Sequence, residues 1–239
     1  MKIVYTTDLH GDMDLYEKVL DVARSKEIKA LVFGGDITPL GFFDAIIHSQ
    51  REFMEKFLIP RLREFKKKEG KDIFIMMGND DFRVNMDVLE KAEKEGVIKI
   101  LHKKVHKLNR LFIAGYTCVN PTPFMLKDWD REENVIKNDL DKLSKKSDPK
   151  KTVYVFHAPP FNTELDVLYN GEHKGSKAIK DFILNKKPYL TFHGHIHESP
   201  DMTGKFSEKI GDTLSINPGD GNIVIVDLDN LKVKHIRSG

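Results

Sequence analysis

Five apolar runs in this chain each stop at a short polar cluster: Asp8-Leu9-His10, Gly35-Asp36, Gly78-Asn79-Asp80-Asp81, His157-Ala158-Pro159 and Gly194-His195-Ile196-His197. This pattern constrains the fold more than any bulk property. The runs read as β-strands, and in the first half each strand is followed by a helical pattern. Strand and helix in repeated alternation imply right-handed crossovers and a largely parallel sheet. In open α/β sheets, sites form beyond the carboxyl ends of the strands, so clusters far apart in sequence can converge on one rim.

Residues 2–7 form the first expected strand. Residues 12–25 form the first helix, with Leu15, Val19, Val22 and Ala23 at helical spacing and Asp12 or Asp14 as its cap. Residues 30–33 and 73–77 are continuous apolar runs, as expected of strands covered on both faces. Residues 42–68 read as helical with a break or kink at Pro60, and residues 84–95 as a shorter helix ended by Gly96. Phe42, Phe43, Phe53 and Phe57 fit a helix packing face, and the first two follow Asp36 closely enough to wall a pocket. Strands are expected at 111–116, 152–156, 189–192, 213–216, 223–228 and 232–236, with a hairpin turn at 227–231. Helices are expected at 131–144 and from 175–176 onward, the latter with Ile179, Phe182 and Ile183 on one face. Residues 142–151 are the best loop candidate, and the alternation continues through them, so residues 1–239 are expected to form one domain.

Composition narrows the class. With 239 residues, 40% apolar and 32% charged, the chain suits a globular fold with a sizeable core. A formal net charge of +2 gives no reason to expect a nucleic-acid partner. The lone Cys118 excludes an internal disulfide and fits a reducing, cytoplasmic setting. Asp8 interrupts the apolar opening before a secretory signal can form, and no run is long enough to cross a bilayer, so no membrane association is expected.

The clusters supply carboxylate, amide and imidazole donors without thiolates. That mixture suits Mn, Fe, Co, Ni or Zn better than Mg or Ca, which take all-oxygen shells. If residues 8–10 and 195–197 are extended, Asp8 and His10 point to one side, and so do His195 and His197. Gly35 and Gly78 permit the turns that aim Asp36 and Asn79 inward.

In this order the motifs resemble those of the calcineurin-like metallophosphoesterases: Asp-x-His, Gly-Asp, Gly-Asn-x-Asp, His and Gly-His-x-His, followed by Asn217-Pro218-Gly219. Each piece alone is weak, but the ordered set is specific and spans nearly the whole chain. The resemblance implies a four-layer α-β-β-α sandwich with two mixed central sheets flanked by helices. It implies one metal on Asp8, His10, Asp36 and His197 and a second on Asp36, Asn79, His157 and His195. It further implies a hydroxide bridging the ions that attacks phosphorus in line, so that no Ser or Cys nucleophile is needed. The expected activity is hydrolysis of a small phosphate ester, with two divalent ions as cofactors and Asn79 and Asp80 in catalytic positions.

One position departs from the pattern. Many family members carry Gly-Asn-His-Asp, whereas this chain has Asp80 in place of that His. An ionised aspartate repels phosphate and cannot donate a proton. General acid catalysis is worth about 10²–10⁴-fold, so the departure favours phosphodiesters or activated phosphomonoesters, or another donor; His173 and His48 are the candidates. Asp81, with no His beside it to orient, becomes a structural acceptor.

The remaining features have plainer readings. His102, His106, His193 and His235 are read as structural, with His193 an outer neighbour of the metal set. Lys66-Lys67-Lys68 and Lys145-Lys146 are solvated faces. Trp129 is placed on a loop beside the site. A non-catalytic interaction scaffold on the same fold is the rival reading, and the complete ligand set argues against it; the balanced charge argues against a metal-dependent nuclease.

Overall fold

The computed structural model describes residues 1–41, 43–124 and 127–238. Phe42 lies outside the described residues, as does the side chain of Phe43, so their expected role in a pocket wall lies there too.

The first strand, β1 (Lys2–Thr6), leads into α1 (Met13–Ala23). Of the two candidate caps it is Asp12 that takes the role, accepting from the N–H groups of Asp14 and Leu15. Next come β2 (Ile28–Phe33), α2 (Phe43–Phe53) and α3 (Ile59–Glu69). The helix expected across residues 42–68 is broken by a π-helical stretch, Met54–Leu58. Pro60 explains it: proline has no N–H to give the preceding turn, and one extra residue in the ladder lets α3 restart with Pro60 in its first turn. Then follow β3 (Asp72–Ile75), α4 (Met86–Lys94), β4 (Lys99–Ile100), β5 (Val105–Leu108) and β6 (Leu111–Tyr116).

The second half contains α5 (Glu133–Ser144), β7 (Thr152–Phe156), α6 (Lys177–Lys186), β8 (Leu190–Phe192) and the short α7 (Ser199–Thr203). It closes with β9 (Ser207–Ile210), β10 (Thr213–Ile216), β11 (Ile223–Asp227) and β12 (Lys232–Ile236). The short strands β4, β5 and β9 and the helix α7 were not expected. Each is only two to five residues long, too short for a periodic signal of its own.

The strands form two six-stranded sheets, ordered β12-β11-β1-β2-β3-β4 and β5-β6-β7-β8-β10-β9. The first-half strands β1 to β4 pair in parallel, as their alternation with helices implies, and both sheets are completed as mixed ones. Each sheet has a parallel centre, but β11 and β12 run antiparallel at one edge of the first, and β5 and β9 run antiparallel at the edges of the second. Hairpins that return without a crossover helix supply those edges. The two mixed sheets flanked by helices are the four-layer arrangement.

Alternation along the strands builds the layers. Ile3, Tyr5, Ala30, Val32, Phe74 and Met76 of the first sheet meet Ile113, Val153, Val155, Leu190 and Phe192 of the second in one buried cluster. Val4, Leu31, Phe33, Ile73 and Ile75 face outward into a second cluster with α1 and α3, and Tyr154 and Phe156 do the same with α6. Tyr5 stacks on Phe192 at 4.2 Å between ring centroids, and its hydroxyl donates to the His193 carbonyl at 2.8 Å, clamping the sheets together just below the strand ends. Among the described residues no helix is long and apolar enough to cross a membrane.

Candidate metal centre

All five polar clusters follow the carboxyl ends of parallel strands. Asp8, Asp36 and Asn79 lie beyond β1, β2 and β3, which are neighbours in the first sheet; His157 and His195 lie beyond β7 and β8, neighbours in the second. The two sheets therefore present their ligand-bearing ends to one rim.

The backbone there is not extended. Asp8, His10, Asp36 and His195 have positive φ values of 55°, 44°, 48° and 65°. This corrects the argument from alternation: Asp8 and His10 share a side because each turns through the left-handed region, not because a strand continues. Such conformations cost non-glycine residues of the order of 1–3 kcal/mol each and persist only where surrounding contacts enforce them. Here the Asp8 N–H donates to the Gly35 carbonyl at 3.0 Å, the His10 N–H to the Asp36 carbonyl at 2.9 Å, and the His195 N–H to the Asp8 carboxylate at 3.1 Å.

Ligand-type atoms of Asp8, His10 and Asp36 lie within 4.8 Å of one another. His197 stands beside this group, its ring centroid 6.0 Å from that of His10. A second group meets on the other side of Asp36: His157 Nε2 is 3.2 Å from Asp36 Oδ2 and 2.9 Å from Asn79 Oδ1, and the His195 ring lies 5.5 Å from the His157 ring. Asp36 belongs to both groups, while its Oδ1 accepts from the Asp80 N–H at 2.8 Å.

The donor set fits divalent cations. His157 Nδ1 is 3.0 Å from the Gly34 carbonyl. A carbonyl can only accept, so Nδ1 carries a proton and Nε2 is directed at two oxygen acceptors. Three electron-rich atoms converging on one point call for a proton or a cation between them. Burial opposes charge on His157, but the Asp36 carboxylate outweighs it and pushes the imidazole up to about 10. Against its own burial, Asp36 is held by His157 well below the usual carboxylate range. Burial and the neighbouring His157 hold His195 down at about 3, although the residue is only half-buried and lines the cleft. His10 Nδ1 is buried with no hydrogen-bond partner among the described residues. The glycines complete the cradle: a Cβ on Gly78 would sit 2.2 Å from Asp36 Oδ1, and one on Gly194 would sit 2.4 Å from Asp8 Oδ2.

Second-layer contacts hold these loops. Asp81, buried, accepts from the N–H groups of Gly78 at 2.8 Å, Ile37 at 3.1 Å and Thr38 at 2.9 Å, and from the Thr38 hydroxyl. It thereby joins the loop after β2 to the loop after β3, the structural role expected of it. Burial and the charge of Asp36 push its carboxyl up to about 6 despite those donors. Asn217 Nδ2 donates to the carbonyls of Leu165 and Ile196, each at 3.0 Å, fixing the histidine-bearing loop after β8. Trp129 is buried and donates to the Asp81 carbonyl at 2.8 Å. Gln50 of α2 donates to the Asp80 carbonyl at 2.8 Å and accepts from the Phe82 N–H at 2.9 Å. Sequence reasoning missed Gln50, for which a polar residue within an amphipathic helix gives no signal.

A cleft of about 310 Å³ opens over His10, Asp36, Asn79, His195 and His197, with Asp80 at its side and Pro121, Pro123, Phe124 and Leu168 forming an apolar wall. Neither His48 nor His173 lines it. His48 is exposed on α2, and His173 pairs with the buried Asp166 at 2.7 Å. His193 is buried between the Ala158 carbonyl and the Thr191 hydroxyl, a structural placement. A larger cleft of about 630 Å³ lies between α2, α3 and α4, but Arg51 and Arg63 there are paired with Glu55, Asp87 and Glu95, and it contains none of the candidate ligands.

The family model described as calcineurin-like phosphoesterase matches residues 1–199. One crystal structure, 21% identical, superposes with a TM-score of 0.78 over 100% of this chain and 99% of that one. TT1561 of Thermus thermophilus is 16% identical, with a TM-score of 0.75 and coverage of 99% and 98%. A dimetal phosphatase from Danio rerio is 9% identical, with a TM-score of 0.53 and coverage of 93% and 95%. At these identities the likeness is one of fold. No curated protein matches the sequence.

Proposed function

The chain belongs to the calcineurin-like phosphoesterase family and is a metal-dependent hydrolase of ester bonds; from that membership we propose that it acts on phosphodiesters or activated phosphomonoesters with two divalent ions as cofactors. The observation that carries the two-ion reading is the membership of Asp36 in two ligand groups at once. Asp8, His10, Asp36 and His197 would hold one ion, and Asp36, Asn79, His157 and His195 the other. Their mixed oxygen and imidazole donors favour Mn, Fe, Co, Ni or Zn. When bound, two such ions supply charge neutralisation at the phosphoryl oxygens and water acidic enough to ionise near neutral pH.

The chain's own residues do the positioning. Gly34 fixes the tautomer of His157, so that Nε2 faces Asp36 and Asn79. The apolar wall takes an organic ester group and excludes water from one side of the cleft. The imidazoles at the cleft, His10, His195 and His197, are all assigned as ligands, which leaves none of them to protonate a leaving group. That supports substrates whose leaving groups need little help. We read residues 1–239 as one domain, since β11 and β12 from the end of the chain pair beside β1, and a cytoplasmic location goes with the unpaired Cys118.

The test is reconstitution with manganese, a count of ions per chain, and turnover on a panel of aryl phosphate mono- and diesters. Two ions with diester turnover is the expected result. Two tightly held ions with no turnover on any ester would sink the proposal in favour of a binding scaffold.

A further inference from the structure

Carboxylates crowd this site: Asp8, Asp36, Asp80 and Asp81 all lie on the loops beneath or beside the cleft. With Asp8 and Asp36 assigned to the ions, Asp80 is the aspartate left facing a phosphate ester in the cleft, and a cation of the chain's own would offset it. Lys174 lines the cleft but is mostly exposed and paired with Glu172 at 2.9 Å. Lys127 stands one step back from the lining, against two residues that belong to it, Asp80 and Phe124. Its ammonium is bound to Asp80 Oδ1, and that same oxygen accepts from Nδ2 of Asn79 at 2.9 Å. The amide whose oxygen faces His157 therefore shares a carboxylate with Lys127. The ammonium also lies 5.5 Å from the centroid of Phe124, a wall residue of the cleft, and only 20% of the Lys127 side chain is exposed.

The pair is built into the fold. Three consecutive residues are tied to the loop after β3: Lys127 to Asp80, the Asp128 carboxylate to the Arg83 N–H at 2.9 Å, and the Trp129 indole to the Asp81 carbonyl at 2.8 Å. A loosely solvated lysine would need none of this. An ammonium has three donors, so the bond to Asp80 leaves two for a ligand.

We propose that Lys127 is a substrate-binding cation of this centre, its ammonium contacting a non-bridging phosphoryl oxygen, with Asp80 as the residue that positions it. The inference rests on the phosphoesterase reading of the same cleft. It gives Asp80 a use: a carboxylate that alone would repel phosphate becomes the anchor of a neutral pair.

The experiment compares metal-loaded wild type with Lys127→Met, Lys127→Arg and Asp80→Asn. It reads ions per chain, kcat and KM on bis(4-nitrophenyl) phosphate, and the affinity for inorganic phosphate by calorimetry. Loss of one charge-assisted hydrogen bond corresponds to about ten- to a hundredfold. Lys127→Met should keep both ions, lose that factor in kcat/KM and bind phosphate at least tenfold more weakly. Lys127→Arg should recover most of both, and Asp80→Asn should leave the ion count intact while raising KM. If Lys127→Met loses its ions, or stays within twofold of wild type in both kcat/KM and phosphate affinity, the proposal is overturned. A fully loaded wild type inert on every ester would instead overturn the phosphoesterase reading, and phosphate affinity alone would then decide for or against Lys127.

Discussion

Gly78→Ala puts the shared role of Asp36 to a direct test. Gly78 does not have positive φ, so alanine brings steric conflict without backbone strain. The new Cβ would lie 2.2 Å from Asp36 Oδ1, 2.3 Å from Asp36 N and 2.7 Å from His157 Cε1. Restoring an ordinary contact of 3.4 Å demands a shift of about 1.2 Å. Asp36 cannot yield by rotation alone. Its backbone carbonyl accepts from His10, its Oδ1 from Asp80, and its Oδ2 faces His157. Overpacking of this kind costs about 1–3 kcal/mol, which for a chain of this size lowers the melting temperature by roughly 2–12 °C. Function should suffer more, because a misplacement of about 1 Å at a reacting centre can cost about a hundredfold. Gly96→Ala is the control. Gly96 has φ +74° with nothing near its would-be Cβ, so it should lose about 1 kcal/mol of stability and no activity. The assays are thermal unfolding, ions per chain and turnover of an aryl phosphodiester. If Gly78→Ala holds both ions and turns over within threefold of wild type, the reasoning that makes Asp36 the shared, locked carboxylate is wrong.

Three further outcomes are expected. Asp81→Ala strands the buried N–H groups of Gly78, Ile37 and Thr38; at about 1–3 kcal/mol per orphaned donor, chemical denaturation should show a loss of several kcal/mol, and a loss below about 1 kcal/mol would contradict the role assigned to this carboxylate. His102 accepts from the Thr117 N–H, and burial together with Lys103, Arg83 and Arg131 holds its imidazole down at about 3, from an ordinary 6.5. The unfolded chain therefore takes up this proton first as pH falls below 6.5, and the folded state loses about 2 kcal/mol of relative stability between pH 7 and pH 5. His102→Asn, whose amide oxygen can keep the bond to Thr117, should flatten the stability profile over that window; an unchanged slope would count against a neutral imidazole in the folded state. Finally, chelation of the bound ions should lower the melting temperature, since each ion present at a hundredfold over its Kd contributes about 2.7 kcal/mol; equal melting curves for stripped and reloaded protein would speak against a resident centre.

Much of the site is legible in the order of residues. Asp8, His10, Asp36, Asn79, His157, His195 and His197 can be picked out because each follows an apolar run, and the fold brings all of them to one rim. Local chemistry is legible too. Asp12 caps α1, Ser176 caps α6 by accepting from Ile179, and Pro60 interrupts the helical run. These are events within a few residues, and sequence records them as spacing. The short edge strands β4, β5 and β9 are not legible, because segments of two to four residues owe their extension to the strand they pair with.

Which side chains stand at the strand ends is a property of the amino-acid sequence, and the mixed carboxylate, amide and imidazole chemistry comes with them. How those side chains meet is a property of the folded chain. The left-handed turns at Asp8, His10 and Asp36, which Asp and His tolerate better than most side chains, are fixed by bonds between loops. His157 finds its tautomer from Gly34, 123 residues away. Lys127 and Trp129, which carry no motif of their own, reach Asp80 and Asp81 across 47 and 48 residues. Periodicity and spacing report on contacts between near neighbours in the chain. Charge placement and backbone strain at a site depend on contacts between segments that become neighbours only when the two sheets close on each other.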